Sequence, residues 1–294
     1  MVFKILKNIL NHPFNIDRKI KSVFCFLRWQ FISRIWDNYL IYNLTENTRI
    51  LVKKGLTGVT GNIYTGLYEF EDMLFSLHLM QEEDIFYDIG ANVGVYSILI
   101  SGEKKSYSYA FEPTPDIFSI LNLNIKLNNL ENNVKLFNCA LGNENTKINF
   151  KLNKLGVTNH ISEKVKEGPD NLIEVDLKRI DDLGIRSPNL IKIDVEGFEY
   201  EVLKGANSIF HSNSLHGVII ELNGSGKKYG ITDMEVHQFL LQFGFFPVSY
   251  NPFKREINIL ASFGSKNTIY IKNQKLVEER LLNSFKIKIN NKSI

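Results

Sequence analysis

The chain of 294 residues is 44% hydrophobic and 23% charged, with a formal net charge of +3. These are the values of an ordinary globular protein, and they exclude a disordered chain, a collagen-like fibre and a disulfide scaffold. One catalytic-size domain of about 200 residues with extensions fits the length. The net charge conceals an asymmetry. Residues 1–60 hold ten Lys and Arg against three Asp and Glu, residues 265–294 hold seven against two, and residues 61–264 hold 18 against 27. Nucleic-acid binders place their basic surface at the working site. Here the centre is acidic, so no nucleic-acid partner is expected and a cationic ligand is tolerated. The two cysteines, Cys25 and Cys139, are far apart in apolar settings. That predicts reduced thiols and no cysteine-based zinc site. No apolar run approaches the roughly 20 residues of a membrane span, and the lysine-broken start lacks the apolar core of a secretory signal. The expected location is cytoplasmic, with peripheral contact at the inner membrane face as an added possibility of residues 18–41.

Taken in chain order, those residues show the first clear period. Ile20, Phe24, Leu27, Phe31 and Ile35 fall on one helical face, with Arg18, Lys19, Lys21, Arg28 and Arg34 around it. Two readings stand: a helix packed on the catalytic domain, which is favoured, and a helix lying on an anionic membrane surface or docking a partner. Residues 1–58 are therefore a basic helical extension. From residue 84 short apolar strands alternate with helical stretches. Strands are predicted over 85–89, 107–111, 134–140, 190–195, 218–222, 245–250 and 268–271, with extra strands over 145–152 and 173–177. Helices are predicted from 95, over 115–128, over 199–210 and over 233–243. This alternation means an α/β fold, a mostly parallel sheet flanked by helices, over residues 59–274. Residues 275–294 read as a basic C-terminal helix or tail. Such sheets bind ligands at the carboxyl ends of their strands.

The first motif stands at such an end: Asp88-Ile-Gly90-Ala-Asn92-Val-Gly94 follows a strand and opens a helix. Its glycines permit positive φ and a close ligand. Asp88 would repel a diphosphate but suits a ligand with ammonium and sulfonium charges and ribose hydroxyls, as in S-adenosylmethionine; the plainer reading is a helix cap. Glu112 ends the next strand 24 residues later, where a ribose diol is held. In Leu190-Ile-Lys192-Ile-Asp194-Val-Glu196-Gly197, alternation would put three charges on one strand face, where they must pair or line a cleft. Val218-Ile-Ile-Glu221-Leu-Asn223-Gly224 repeats the device. Asp194, Glu221 and Asn223 could hold Mg²⁺, although hydrogen bonding without metal is preferred. His160 reads as a surface-loop residue, with a role as base the alternative.

The blocks Asp88–Gly94 and Leu190-Ile-Lys-Ile-Asp-Val-Glu-Gly-Phe-Glu-Tyr-Glu-Val-Leu-Lys-Gly-Ala206 together resemble the FkbM family of S-adenosylmethionine-dependent methyltransferases. Gly66-Leu-Tyr-Glu69 and Asn138-Cys-Ala-Leu-Gly142 are also similar to that family, and the likeness covers about residues 60–272. The resemblance implies a seven-stranded Rossmann-like class I methyltransferase sheet and methyl transfer to oxygen. It implies Asp88, Gly90, Asn92, Gly94 and Glu112 around the cofactor, Asn138 near the adenine, and Asp194 and Glu196 at the reacting end. Nothing carries over to residues 1–55.

The expected function is O-methylation of a hydroxyl on a sugar, a glycan or a related natural product. Asp194 is the first candidate for base or acceptor-orienting group, with Lys192 keeping its carboxylate ionised. Two alternatives remain, an NAD-dependent oxidoreductase and a non-catalytic binding module. The absence of Gly-x-Gly-x-x-Gly and the presence of acidic residues at both strand ends weigh against them.

Overall fold

The computed structural model describes residues 2–151, 160–161, 172–289 and 292–294. Helices α1 (Val2–Asn11) and α2 (Lys19–Ile35) come first. An antiparallel hairpin of β1 (Leu40–Asn43) and β2 (Arg49–Val52) follows, and then α3 (Thr57–Thr65) and α4 (Phe70–Leu79). Next come β3 (Ile85–Ile89), α5 (Val95–Lys104), β4 (Tyr107–Phe111), α6 (Pro115–Leu127) and β5 (Val134–Phe137). A separate four-stranded sheet is inserted here from β6 (Ala140–Leu141), β7 (Thr146–Lys151), β8 (His160–Ile161) and β9 (Leu172–Lys178). The main sheet resumes with β10 (Leu190–Ile193), α7 (Glu199–Lys204), α8 (Asn207–His211), β11 (Gly217–Glu221) and α9 (Asp233–Gln242). It closes with β12 (Phe246–Asn251), β13 (Glu256–Ile259) and β14 (Asn267–Ile271), before α10 (Gln274–Asn283) and the hairpin of β15 (Lys288–Ile289) and β16 (Lys292–Ser293).

The main sheet has the order β13-β12-β14-β11-β10-β3-β4-β5. The five strands from β11 to β5 pair in parallel, and β14, β12 and β13 add antiparallel pairs at the other end. The eighth strand exceeds the seven expected because β13 folds back on β12 as a hairpin. Chain order reverses at β3, which has β4 on one side and β10 on the other. The crevice beyond their carboxyl ends is the switch point where such sheets bind ligands.

Both faces of the sheet are covered, as parallel strands require. On one face Phe86, Leu190 and Ile219 pack with Leu74 and Leu77 of α4, Ile98 and Leu99 of α5, Leu121 of α6 and Leu281 of α10. On the other, Tyr87, Ile89, Ile191 and Ile193 meet Leu203 of α7, Phe210 of α8 and Leu240 of α9. Both terminal segments join the first layer, through Ile9, Phe14, Phe26 and Trp29 at one end and Ile287, Ile289 and Ile294 at the other. Residues beyond 274 thus form a helix and a hairpin.

Three expectations need correction. The predicted strand over 134–140 breaks after Phe137, and Ala140 passes to the smaller sheet beside β9. The predicted helix over 199–210 is two short helices parted at Gly205–Ala206. Helix α2 forms where expected, but its face is reversed. Ile20, Phe24, Leu27, Phe31 and Ile35 are 89, 65, 58, 69 and 67% exposed, while Ser22, Phe26 and Trp29 are buried. The helix is apolar on two faces, so its period could not say which one the domain covers.

Ile191 is 1% exposed at the centre of the sheet. Ile191→Ala should cost about 2–5 kcal/mol, the usual range for emptying such a position. The check is a urea unfolding curve, whose midpoint falls while its slope is kept.

Candidate active site

The site begins with a buried cation. Lys192 pairs in register with Asp88 across the parallel β10–β3 ladder, so both side chains lie on the face covered by α4 and α5. Lys192 is 4% exposed. Its Nζ donates to Asp194 Oδ2 at 2.8 Å and stands 5.0 Å from the centre of the Tyr96 ring. Burial favours the neutral amine, but Asp194, Glu69 and Asp88 outweigh it and hold the Lys192 pKa above its ordinary value. The charges were expected to pair or line a cleft, and Lys192 and Asp194 pair. Strand β10 ends at Ile193, so Asp194 and Glu196 stand on the loop after it, not on a strand face.

Asp88 is 1% exposed, and its Oδ2 accepts from the Ser97 amide at 3.1 Å and the Ser97 hydroxyl at 2.7 Å. It caps the first turn of α5 from below the glycine loop, which is the plainer of the two readings. Its position beneath the loop corrects the picture of a carboxylate facing the ligand. Burial raises its pKa against the pull of Lys192 and Ser97.

The glycine loop is held by contacts within the protein. Gly90 has φ +79, and a Cβ there would lie 1.9 Å from the Asp194 carbonyl oxygen. The exits of β3 and β10 therefore touch, backbone to backbone, which only glycine permits. Gly94, at φ +89, abuts the Leu121 side chain, where a Cβ would lie 2.4 Å from its Cδ1. Asn92 adopts φ +51 and its Oδ1 accepts from the Val93 amide at 2.8 Å. The first turn of α3 closes over it, since a Cβ on Gly58 would be 3.0 Å from Asn92 Oδ1.

Glu112 is 7% exposed at the end of β4. Its Oε2 accepts from the Asn92 amide at 3.1 Å and its Oε1 from the Thr114 amide at 2.9 Å. It fastens the glycine loop to the next turn, and each oxygen keeps a further acceptor position. Burial lifts its pKa to about 7 despite these bonds. Asn138 is exposed after β5, and its Nδ2 donates to the carbonyls of Glu112 and Pro113 at 2.8 and 3.1 Å.

Beyond β10 and β11 stand three half-buried carboxylates. Asp194, Glu196 and Glu221 each present an oxygen within 4.8 Å of the others. Glu196 is held in the left-handed region at φ +55. Glu199 accepts from the amides of Val195 and Gly197 at 3.2 and 3.0 Å, which fixes the loop carrying Glu196. Glu221 Oε2 is buried without a hydrogen-bond partner among the described residues. Burial first, then the charges of Asp194, Glu196 and Glu199, push the Glu221 pKa up to about 8. The oxygen donor set differs from the one expected. Asn223 is exposed and its Oδ1 accepts from the Ser225 amide at 2.9 Å, while Glu196 stands beside Asp194 and Glu221. His160 lies in β8, paired with Lys151, where a loop was expected.

Sequence reasoning missed the groups behind the cluster. Tyr96 donates to Glu69 Oε2 at 2.7 Å, and Asn267 Nδ2 donates to Asp72 Oδ2 at 3.0 Å. Burial, with the nearby Glu69 charge, lifts Asp72 to about 7. Glu69 lay in the family-like Gly66–Glu69 segment without a role assigned to it, and for Asp72 the signal was an acidic helix start that the macrodipole alone accounts for. A cavity of about 250 Å³ lies elsewhere, between α2, α3 and β1, and no carboxylate lines it.

Residues 88–247 match the family described as the Methyltransferase FkbM domain. The chain is similar to Methyltransferase 1 of Beauveria bassiana, 27% identical over 176 residues, which spans 52% of this chain and 70% of that protein. It is 28% identical over 155 residues to the hexuronic acid methyltransferase AglP of Haloferax volcanii, across 52% of this chain and 62% of that one. A crystal structure of Methyltransferase FkbM from Methylobacillus flagellatus KT aligns with a TM-score of 0.45 and 14% identity, over 83% of this chain and 59% of that one.

The buried acids set a pH dependence. Glu112 and Glu199 at about 7, and Glu221 at about 8, keep protons that an unfolded carboxyl with a pKa near 4.5 releases. Their stabilisation is complete below the unfolded value and is lost as pH rises through 7 to 8. Half-buried His12 and buried His78, lowered to about 4 and about 3, act oppositely, but only up to about 6.5. The melting temperature of the ligand-free protein should therefore fall between about pH 6.5 and about pH 8. Scanning calorimetry that shows a flat or rising trend there would contradict this placement of the carboxyls.

Proposed function

This chain belongs to the FkbM methyltransferase family, and on that footing we propose that it methylates a hydroxyl of a sugar, a glycan or a related natural product, with S-adenosylmethionine as methyl donor. The observation that carries the chemistry is the carboxylate triad of Asp194, Glu196 and Glu221, in which Glu221 Oε2 has no hydrogen-bond partner among the described residues. An acid-lined mouth suits a cationic donor, and the backbone turn at Gly90–Gly94 lies at its base. S-adenosylmethionine supplies an electrophilic methyl on a positively charged sulfur. The protein's task is to hold a hydroxyl in line with that carbon at about 3 Å and to take its proton. The likeness to a protein named for hexuronic acid supports a sugar acceptor. Lys228 lies near Glu196 and Glu221 and offers a cation to an acidic sugar.

On this reading Glu112 and Asn92 hold the ribose side, and Asn138 lies near the adenine. Asp194, fixed by Lys192, orients the acceptor. Glu221 is a better base than Asp194. Its Oε2 has no hydrogen-bond partner among the described residues, and its raised pKa lies near neutral pH, where general-base catalysis is most effective. A metal-assisted version is the second reading, favoured only by the all-oxygen set of Asp194, Glu196 and Glu221.

Two expectations follow. Glu112→Gln should weaken S-adenosylmethionine binding about tenfold, as for one lost bond to a charged group, and calorimetric titration reads it. Tighter binding of NAD than of S-adenosylmethionine would refute the donor assignment. Glu221→Gln should lower turnover by about 10² or more, with the donor still bound, and should remove the rise in rate with pH that a carboxylate base is expected to give the wild type. Full activity in that variant would take Glu221 out of the mechanism. Loss of wild-type turnover on chelation would establish the metal version.

A further inference from the structure

Helix α2 is bound to the domain by one side alone. Phe26 meets the Tyr64 ring edge-on at 5.2 Å, and Gln30 donates to the Tyr64 hydroxyl at 3.0 Å, which docks the helix on α3. At 3.6 residues per turn, the line through Ile20, Phe24, Leu27, Phe31 and Ile35 is about 180° from the line through Ser22, Phe26 and Trp29. Five large apolar side chains thus form one continuous stripe facing away from the protein, each more than half exposed. Soluble proteins rarely leave such a stripe uncovered.

The rim of the stripe says what covers it. Lys21 and Arg28 flank it on one side, Lys19 and Arg34 on the other, and all four are exposed. Residues 2–36 carry seven Lys and Arg against one acid, Asp17, which pairs with Lys292 at 2.8 Å. A second copy of the chain would bring the same basic rim against itself in any two-fold pairing. An anionic bilayer meets both features, since apolar side chains enter the acyl boundary while long basic side chains reach the headgroups. The helix would lie in the surface and not cross it. A 17-residue helix is about 25 Å long, and no helix among the described residues is long and apolar enough to span a membrane.

We propose that the outer face of α2 is a docking surface for an anionic lipid bilayer. The proposal is independent of the methyl-transfer reading, and its test reads partition without turnover. The full chain is sedimented with phosphatidylcholine vesicles containing about 30% phosphatidylglycerol, and with phosphatidylcholine alone. Binding to the anionic vesicles is expected at about 50 mM salt and should fall about tenfold or more at about 500 mM salt, or when phosphatidylglycerol is omitted. Exchanging two exposed apolar side chains, Phe24→Ser with Phe31→Ser, should cut partition about tenfold or more while the thermal melt stays as in the wild type. The charge reversal Lys21→Glu with Arg28→Glu should do the same without touching the stripe. Absence of the wild type from the vesicle pellet overturns the proposal, as does equal binding to both lipid mixtures. So does a concentration-dependent dimer in ultracentrifugation that the Phe24 and Phe31 exchange abolishes.

Discussion

A lysine ammonium buried in the middle of a parallel sheet is the constraint from which the site follows. An unpaired charge there is prohibitively costly, so Lys192 must be surrounded by acids. Asp88 supplies one from the neighbouring strand, Asp194 one from the same strand's exit, and Glu69 one from the residue before α4. These residues come from three separate stretches of chain. The cation therefore fixes the approach of α4 to the sheet and the direction in which the β10 exit leaves it. Removing Lys192 would leave the three acids facing one another with no counter-charge, so its role in the fold cannot be separated from its role at the mouth.

Hydrogen bonds and contacts within the protein define the mouth. Gly90 brings two strand exits into contact, and Glu112 ties the loop above them to the β4 exit through the Asn92 amide. A loop restrained from both sides has little conformational freedom left to lose when a ligand arrives, which is the physical content of preorganisation. The residues expected to touch the ligand do part of this work themselves. Asp88 caps α5 and Glu112 clamps the loop, so motif residues can shape a site while being almost wholly buried.

The central strands were legible because burial on both faces leaves short apolar runs between turn residues. Strands 85–89 and 107–111 stand at their predicted bounds. Helices α3 and α4 were not legible. The sequence of α3, Thr57 to Thr65, includes two glycines and three threonines of poor helix propensity. Helix α4 is buried along most of its length and so shows no polar face to mark a period. The β1–β2 hairpin has strands of only four residues, each with three consecutive apolar residues, too short for a period of two to show. At the site, Asp194, Glu196 and Glu221 were found from their place after apolar strands. Asn223 was grouped with them by carrying two-residue alternation past the strand end at Glu221, and its Oδ1 instead accepts from the Ser225 amide. Once a chain leaves its strand, alternation no longer says where a side chain points.

The proposed base and the proposed donor are linked through charge. Glu221 is held near 8 by burial and by its acidic neighbours, so at neutral pH without ligand it is largely protonated and cannot accept. A positive sulfur placed beside three carboxylates favours their ionised forms, as any nearby cation does. Donor binding would therefore draw the proton off Glu221 and prepare it as base. On the proposed reading, methyl transfer would leave that sulfur neutral and so withdraw the stabilising charge as the acceptor hydroxyl gives up its proton. The carboxylate's affinity for a proton would then rise back toward its value without ligand. The acidity of this site would thus set its timing: the base would be emptied by the arriving charge and refilled as that charge disappeared.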